Sequence, residues 1–336
     1  MELQEYLDLK NTGYKQVESF ITNEFESVYL SRTGEVFDKY CCVSTAYVLL
    51  KLENIEYKVS SFEDLCEIEQ LDEEISEYLK DVLQIDKVFD KIKELANGDI
   101  YFKHEKSLKA LVLFEYFEKY FKDETDVYNI IHTVADSILD IKNYETVADF
   151  SSNMGVFLRE AWLNHDQHGS YGFYQTCLPE DRKSIAFAKM RFDIIGMNSN
   201  IGQFDICADK VSDMVFDKIY VNILLFRFVY YQNLNKRLKN KEKENLDYII
   251  IEKLLKCLKS QGKLVAVVTS RDLKGKEFKV FREKLIENRL VESVVFAEEY
   301  IPTNLSKRGQ MSSCHLLVLC RGRTPKPRRP CLEVPA

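Results

Sequence analysis

The sequence predicts an α/β protein: a doubly wound, mostly parallel sheet over its C-terminal two thirds, preceded by an acidic α-helical domain. Three observations carry this. From about Tyr128 onward, short β-rich runs alternate with helical stretches, and strands that alternate with helices build a parallel sheet covered on both faces. Ahead of that point the texture is helical, with no proline before Pro179, which suits uninterrupted helices. The charge is also split. Residues 1–100 hold 10 Lys/Arg against 23 Asp/Glu, a net of −13, whereas the 336-residue chain as a whole carries −7.

In order along the chain, the clearest early helix runs over 60–98. Ser60 and Glu63 have capping-box spacing, and Asn97-Gly98 is a natural stop. Ile85, Val88, Phe89, Ile92 and Leu95 fall on one helical face, with Asp86, Lys87, Lys91 and Lys93 on the other. A second apolar helix spans about 108–121, and the acidic domain is expected to occupy 1–125. The α/β domain, 126–322, then opens with a helix at 130–140, a strand at 146–150, a helix at 155–163 and a strand at 171–175. A helix at 180–193 follows, then strands at 203–207 and 217–226, a helix at 246–260, a strand at 263–269 and a helix at 275–289. Strands at 291–296 and 314–320 close the pattern with no convincing helix between them, so an antiparallel pair is expected at that edge. The tail, residues 323–336, is basic and Pro-rich and is expected to be disordered. It reads as a cloning or frameshift artefact or as a basic arm, and it stays outside the functional argument.

Composition excludes several classes. The acidic N-terminal part is a poor surface for phosphate contact. The nine cysteines are scattered, with no C-x-x-C, so disulfides and a zinc site give way to reduced thiols. The first ten residues hold no apolar signal core, and no apolar run reaches ~18 residues. A cytoplasmic protein without membrane contact is expected.

The stretch with chemical content is Thr146-Val-Ala-Asp-Phe-Ser-Ser-Asn-Met-Gly-Val-Phe-Leu158. A strand ends in Asp149, a small-residue turn follows, and a helix opens near Gly155. That arrangement sits where ligands bind, at the carboxyl edge of a parallel sheet, and a tight turn lets backbone N–H groups approach a ligand closely. Alone, such a strand–turn–helix with one Gly is more often plain packing. The stretch resembles the cofactor motif of the N6-adenine DNA methylases of type I restriction-modification systems (the modification subunit), which reads approximately D-P-A-C-G-S-G-G-F-L. Asp149, Gly155, Phe157 and Leu158 match, while Phe150, Asn153 and Met154 replace Pro, Gly and Ser.

The resemblance implies a Rossmann-like S-adenosylmethionine methyltransferase sheet of seven strands, and it places further motifs. Tyr128 lies 21 residues before Asp149, where the family carries the Tyr of a Y-T-P turn that closes over the cofactor. At the second strand, Gln175 or Thr176 stands where the family has an acid for the ribose hydroxyls. Asp209, in DICADK, matches the Asp that meets the cofactor adenine. The family's catalytic motif is N-P-P-F or N-P-P-Y, whose Asn oxygen and proline carbonyl take the N6 hydrogens of a flipped adenine. Here FDKIYVNILLF puts Asn222 in place, followed by Ile223, Leu224 and Leu225; both prolines and the adjacent ring are gone, with Phe226 one residue beyond. The C-terminal third, KLVAVVTSRDL through SSCHLLVLCRG, follows the family's closing pattern, so the resemblance runs in order over about 125–322.

Other candidates weigh less. His165 and His168 have helix-face spacing for a metal pair but lack a third ligand, so no metal site is expected. His132 and His315 sit in apolar surroundings and read as core or edge histidines. The basic run Lys236, Arg237, Lys239, Lys241, Lys243 is interleaved with Glu242 and Glu244 and reads as a solvated loop. A dinucleotide site lacks its G-x-G-x-x-G.

Three functions are open from the sequence. The first is a catalytically degenerate methyltransferase-like subunit with a structural or regulatory role, working with DNA, a separate specificity subunit and other protein subunits. The second is an active S-adenosylmethionine-dependent N6-adenine DNA methylase with a divergent site. The third is an interaction module acting through the acidic helical domain. The eroded motif favours the first, with S-adenosylmethionine binding weak or lost.

Overall fold

The computed structural model describes residues 126–151, 155–165, 171–177, 182–203, 215–224, 246–301 and 312–322, together with Tyr47, Glu73, Ile75, Ser76 and Glu77. The expected acidic domain (1–125), apart from those five residues, lies outside the described residues. So do the tail (323–336), the basic run of 236–243, Asn153 and Asp209.

The described elements are α1 (Asp126–Leu139), β1 (Thr146–Asp149), α2 (Val156–Asn164), β2 (Gly172–Cys177), α3 (Arg182–Ile194), β3 (Ser199–Gln203) and β4 (Phe216–Asn222). They continue with α4 (Leu246–Lys256), β5 (Leu258–Thr269), α5 (Ser270–Lys274), a 3-10 turn (Lys276–Phe278), α6 (Lys279–Glu287), β6 (Val291–Ile301) and β7 (Ser312–Cys320). The strands form a seven-stranded mixed sheet in the order β3-β2-β1-β4-β5-β7-β6. This is the mostly parallel α/β architecture the sequence predicts. No described helix is long and apolar enough to cross a membrane.

The chain divides into two compact units. One contains β1, β4, β5, β6 and β7. Val147 pairs with Lys218 across the parallel β1–β4 ladder, and Asn222 with Val267 across the parallel β4–β5 ladder. The run Leu264 to Val268 is fully buried, as a central strand with both faces covered must be. β5–β7 and β7–β6 are antiparallel, with Val265 opposite Val318 and Val294 opposite Leu317. The expected antiparallel edge is therefore present, and β7 lies inside it.

The other unit contains α2, β2, α3 and β3. β2 and β3 pair in parallel, Phe173 with Ser199 through Cys177 with Gln203. Trp162 meets Phe173 edge to face at 6.0 Å, and the Tyr47 hydroxyl donates to Asp193 at 3.3 Å.

Several boundaries differ from expectation. The described strand β3 begins at Ser199, four residues ahead of the expected start at 203, and 204–207 lie outside the described residues. Pairing with β2 makes a strand of this polar segment, tertiary context overriding propensity. β5 begins at Leu258, not 263, because Leu258 pairs with Phe216 across a register shift, and α4 correspondingly ends at Lys256. The helix expected at 275–289 is split. A capping box on Thr269 and Asp272 starts α5 at Ser270, and Gly275 at φ −59°, ψ 144° breaks it before α6. β4 stops at Asn222 rather than 226, where Ile223 and Leu224 turn helical.

Candidate functional site

β1 and β4 are neighbouring parallel strands, so their carboxyl ends lie side by side. Phe150 extends the ladder one step, its N–H donating to the Tyr220 carbonyl at 3.0 Å. Beyond it the backbone is tied by side chains. Asp149 is fully buried, and its Oδ1 accepts the Ser151 N–H at 2.7 Å, an Asx-type turn. The Ser151 hydroxyl in turn accepts the backbone N–H of Asn222 at 2.8 Å. Asn222, also fully buried, uses its own Oδ1 to accept the Leu224 N–H at 3.1 Å.

Three consecutive bonds thus run from Asp149 through Ser151 and Asn222 to Leu224. The first and last satisfy backbone donors of the turns that follow the two strands, and the middle one ties the strand ends together. Ser151 is the member sequence reasoning missed. Its signal is a small hydroxyl residue two places after a strand-ending acid.

In the other unit, Gly155 precedes α2 at φ 75°, ψ 17°, in the left-handed region. A Cβ built there would lie 2.4 Å from Phe192 Cζ, on a ring that is itself buried. Both conformation and space therefore require glycine. Phe157 and Leu158, which match the resemblance, are buried core residues of α2.

The remaining expected residues fall as follows. Tyr128 is the third residue of α1, so its backbone is helical rather than a turn. Gln175 is fully buried in β2 opposite Ile201. Asn153 and Asp209 lie outside the described residues.

His132 and His315 are core histidines, as expected. His132 Nδ1 lies 3.3 Å from Glu160 and its ring meets Phe157 edge on at 5.8 Å. His315 Nε2 lies 2.6 Å from Ser270 Oγ. Burial first, and the nearby Lys274 charge second, lower its pKa from the usual 6.5. His165 ends α2, while His168 lies outside the described residues. No cluster of three or more metal-ligating side chains occurs among the described residues. Cys257, Cys314 and Cys320 are buried thiols outside any disulfide.

No family model matches the chain, and no curated protein does. Among solved structures the chain is similar to the methyltransferase subunit of a type I restriction-modification system from Streptococcus thermophilus. The identity is 16% and the TM-score 0.58, over 96% of this chain and 85% of that one. It is also similar to a class I S-adenosylmethionine-dependent methyltransferase from Listeria monocytogenes, at 14% identity and TM-score 0.49 over 88% of this chain and 92% of that one. A third likeness is to the N-methyltransferase NodS of Bradyrhizobium japonicum, at 15% identity and TM-score 0.41 over 60% and 99%. The first of these establishes the fold, a Rossmann-like methyltransferase sheet. That solved structure comes from the family whose motifs the sequence resembles.

Proposed function

We propose that this chain is a methyltransferase-fold subunit of a restriction-modification type DNA-modification assembly whose adenine-methylating centre is degenerate. One observation carries the reading: the Asn222 Oδ1 is taken by the Leu224 N–H. In the motif this segment resembles, the residue two places after the Asn is proline, which has no N–H, so the Asn oxygen is left for the N6 hydrogens of the target adenine. Here a backbone donor claims that oxygen locally, in a bond worth ~1 kcal/mol net and more to break when buried. Ile223 and Leu224 also replace a rigid pair of residues with backbone that holds no fixed carbonyl toward a base.

The residues fit S-adenosylmethionine at one end only. On the motif the sequence resembles, Asp149, Asn153 and Gly155 would serve the methionine end, with Tyr128 upstream and Asp209 for the adenine. At the ribose, the family's acid is replaced by Gln175, which is neutral and fully buried. Loss of a charge-assisted partner there costs ~1.5–3 kcal/mol, roughly ten- to a hundredfold in affinity. The cofactor, when bound, supplies the electrophilic methyl group. This chain's contribution is the positioning its residues retain or have lost. DNA and a separate specificity subunit are the partners this reading implies, with a structural or regulatory role for the chain among them.

Calorimetric titration with S-adenosylmethionine is expected to give a dissociation constant in the high micromolar range or no binding. Tritiated methyl transfer to genomic DNA free of methyladenine is expected to give no label. If the wild-type chain labels that DNA and Asn222→Ala abolishes the labelling, the degenerate reading fails and an active, divergent methylase replaces it.

A further inference from the structure

Helix α6 covers its face of the sheet incompletely. Between α4, α6 and strands β6 and β7 lies a cavity of about 320 Å³. Its walls are apolar: Tyr248 and Ile251 from α4, Leu285 from α6, Val294 and Phe296 from β6, and Leu317 from β7. Tyr248 is held in place by Phe278 and Phe281, each with its ring centre 4.3 Å away. A space of this size and lining falls in the range of small-molecule pockets, about 300–1,000 Å³, mostly apolar with a few polar groups. At its mouth Ile286 and Phe296 are both 65% exposed, apolar surface that a folded chain leaves in water at a cost.

The polar groups around the cavity are arranged by sign. Both carboxylates are buried, and each sits in the first turn of a helix. Asp272 Oδ2 accepts the Thr269 N–H and hydroxyl, both at 2.7 Å, and Asp247 stands at the start of α4, where the helix dipole favours it. The cations are further out. Lys274 is exposed, and Arg282 is fixed by an Nη1 bond to the Gly275 carbonyl at 2.8 Å. Its other guanidinium donors remain to meet an anion in the bidentate geometry that suits a carboxylate.

We propose that this cavity binds a small amphipathic carboxylate, its apolar body inside and its headgroup at Lys274 and Arg282. A dry 150 Å³ cavity holds the six carbons of benzene, so one of about 320 Å³ has room for a chain of about ten carbons. The assignment is independent of the methyltransferase chemistry.

The test uses the purified full chain and decanoate as the probe, followed by calorimetry and by thermal shift. Decanoate is expected to bind saturably at one site per chain, and decylamine at least ~10-fold more weakly because its ammonium meets two cations. Lys274→Glu with Arg282→Glu is expected to reverse that order, since both changes are at the rim and leave the apolar walls intact. Val294→Trp, which fills the space, is expected to abolish binding of both probes. The proposal is overturned by absence of saturable binding, by equal affinity for the two probes, or by binding that the rim pair leaves unchanged. A concentration-dependent dimer in sedimentation that Val294→Trp dissolves would overturn it too, by giving the cavity to a second copy of the chain.

Discussion

The hydroxyl of Ser151 accepts the backbone N–H of Asn222 at 2.8 Å, joining the end of β1 to the end of β4 where both are buried. Two strands that pair in register could diverge at their ends. This bond, with the Asp149 turn behind it, holds them together for one residue beyond the ladder.

Ser151→Ala leaves the Asn222 N–H buried without that acceptor and is expected to destabilise the fold by ~1–3 kcal/mol. In urea the midpoint should fall with an unchanged slope. An unchanged midpoint would mean that the bond contributes nothing.

Gly155→Ala combines two costs. A left-handed φ of 75° disfavours alanine by ~1–2 kcal/mol, and its Cβ overlaps Phe192 at 2.4 Å. A loss of at least ~2 kcal/mol is expected. Pairing the change with Phe192→Leu should recover the steric part and leave the conformational part, a non-additivity that a double-mutant cycle in urea measures.

His315 gives a signed pH dependence. Burial, and secondarily Lys274, lower its folded pKa from 6.5, so the unfolded chain takes up the proton first. Stability is therefore full above pH 6.5 and declines as the pH falls from there toward the folded pKa. His315→Gln is expected to flatten this segment of the urea-midpoint profile. A profile identical to wild type below pH 6.5 would remove His315 from the account.

Cys257 is held unreactive. Burial pushes its thiol up to about 12, so thiolate is scarce at neutral pH and alkylation requires unfolding. Iodoacetamide followed by peptide mass mapping should leave Cys257 unmodified in the native chain and modified in urea.

Restoring Ile223→Pro, Leu224→Pro and Leu225→Tyr together removes the donor that claims the Asn222 oxygen, yet is expected not to restore methyl transfer, because on the proposed reading Gln175 still stands in place of the ribose acid. Nor does Gln175→Glu supply it. That position is fully buried, and a carboxylate placed there is expected to lower stability by several kcal/mol at neutral pH. Tritium counting on DNA and urea unfolding read the two outcomes separately.

Much of this arrangement is legible in the residues. Alternating β-rich and helical runs give the parallel sheet, and the lack of a convincing helical pattern in the sequence between 296 and 314 points to the antiparallel edge. Asp149, Gly155 and Asn222 all stand at the strand or helix ends where the motif spacing puts them. What is not legible depends on partners distant in sequence. Ser199–Gln203 becomes a strand because Phe173–Cys177 is available to pair with it. Ser151 matters because a backbone donor 71 residues later lies beside it. The commitment of the Asn222 oxygen to Leu224 depends on where β4 stops, and a run of apolar residues does not announce its own end. The cavity under α6 is likewise a property of packing, since no periodicity in Lys279–Glu287 reports what the helix fails to fill.

β7 is the last described strand, but it lies between β5 and β6 in the sheet. During vectorial synthesis, β6 emerges with no strand to join, and β5 presents a bare edge until residues 312–320 leave the ribosome. An open, apolar strand edge is a template for pairing with other nascent chains. The sheet is therefore completed by insertion rather than by addition at its rim, and a chain interrupted before residue 312 loses two strands while lacking only one.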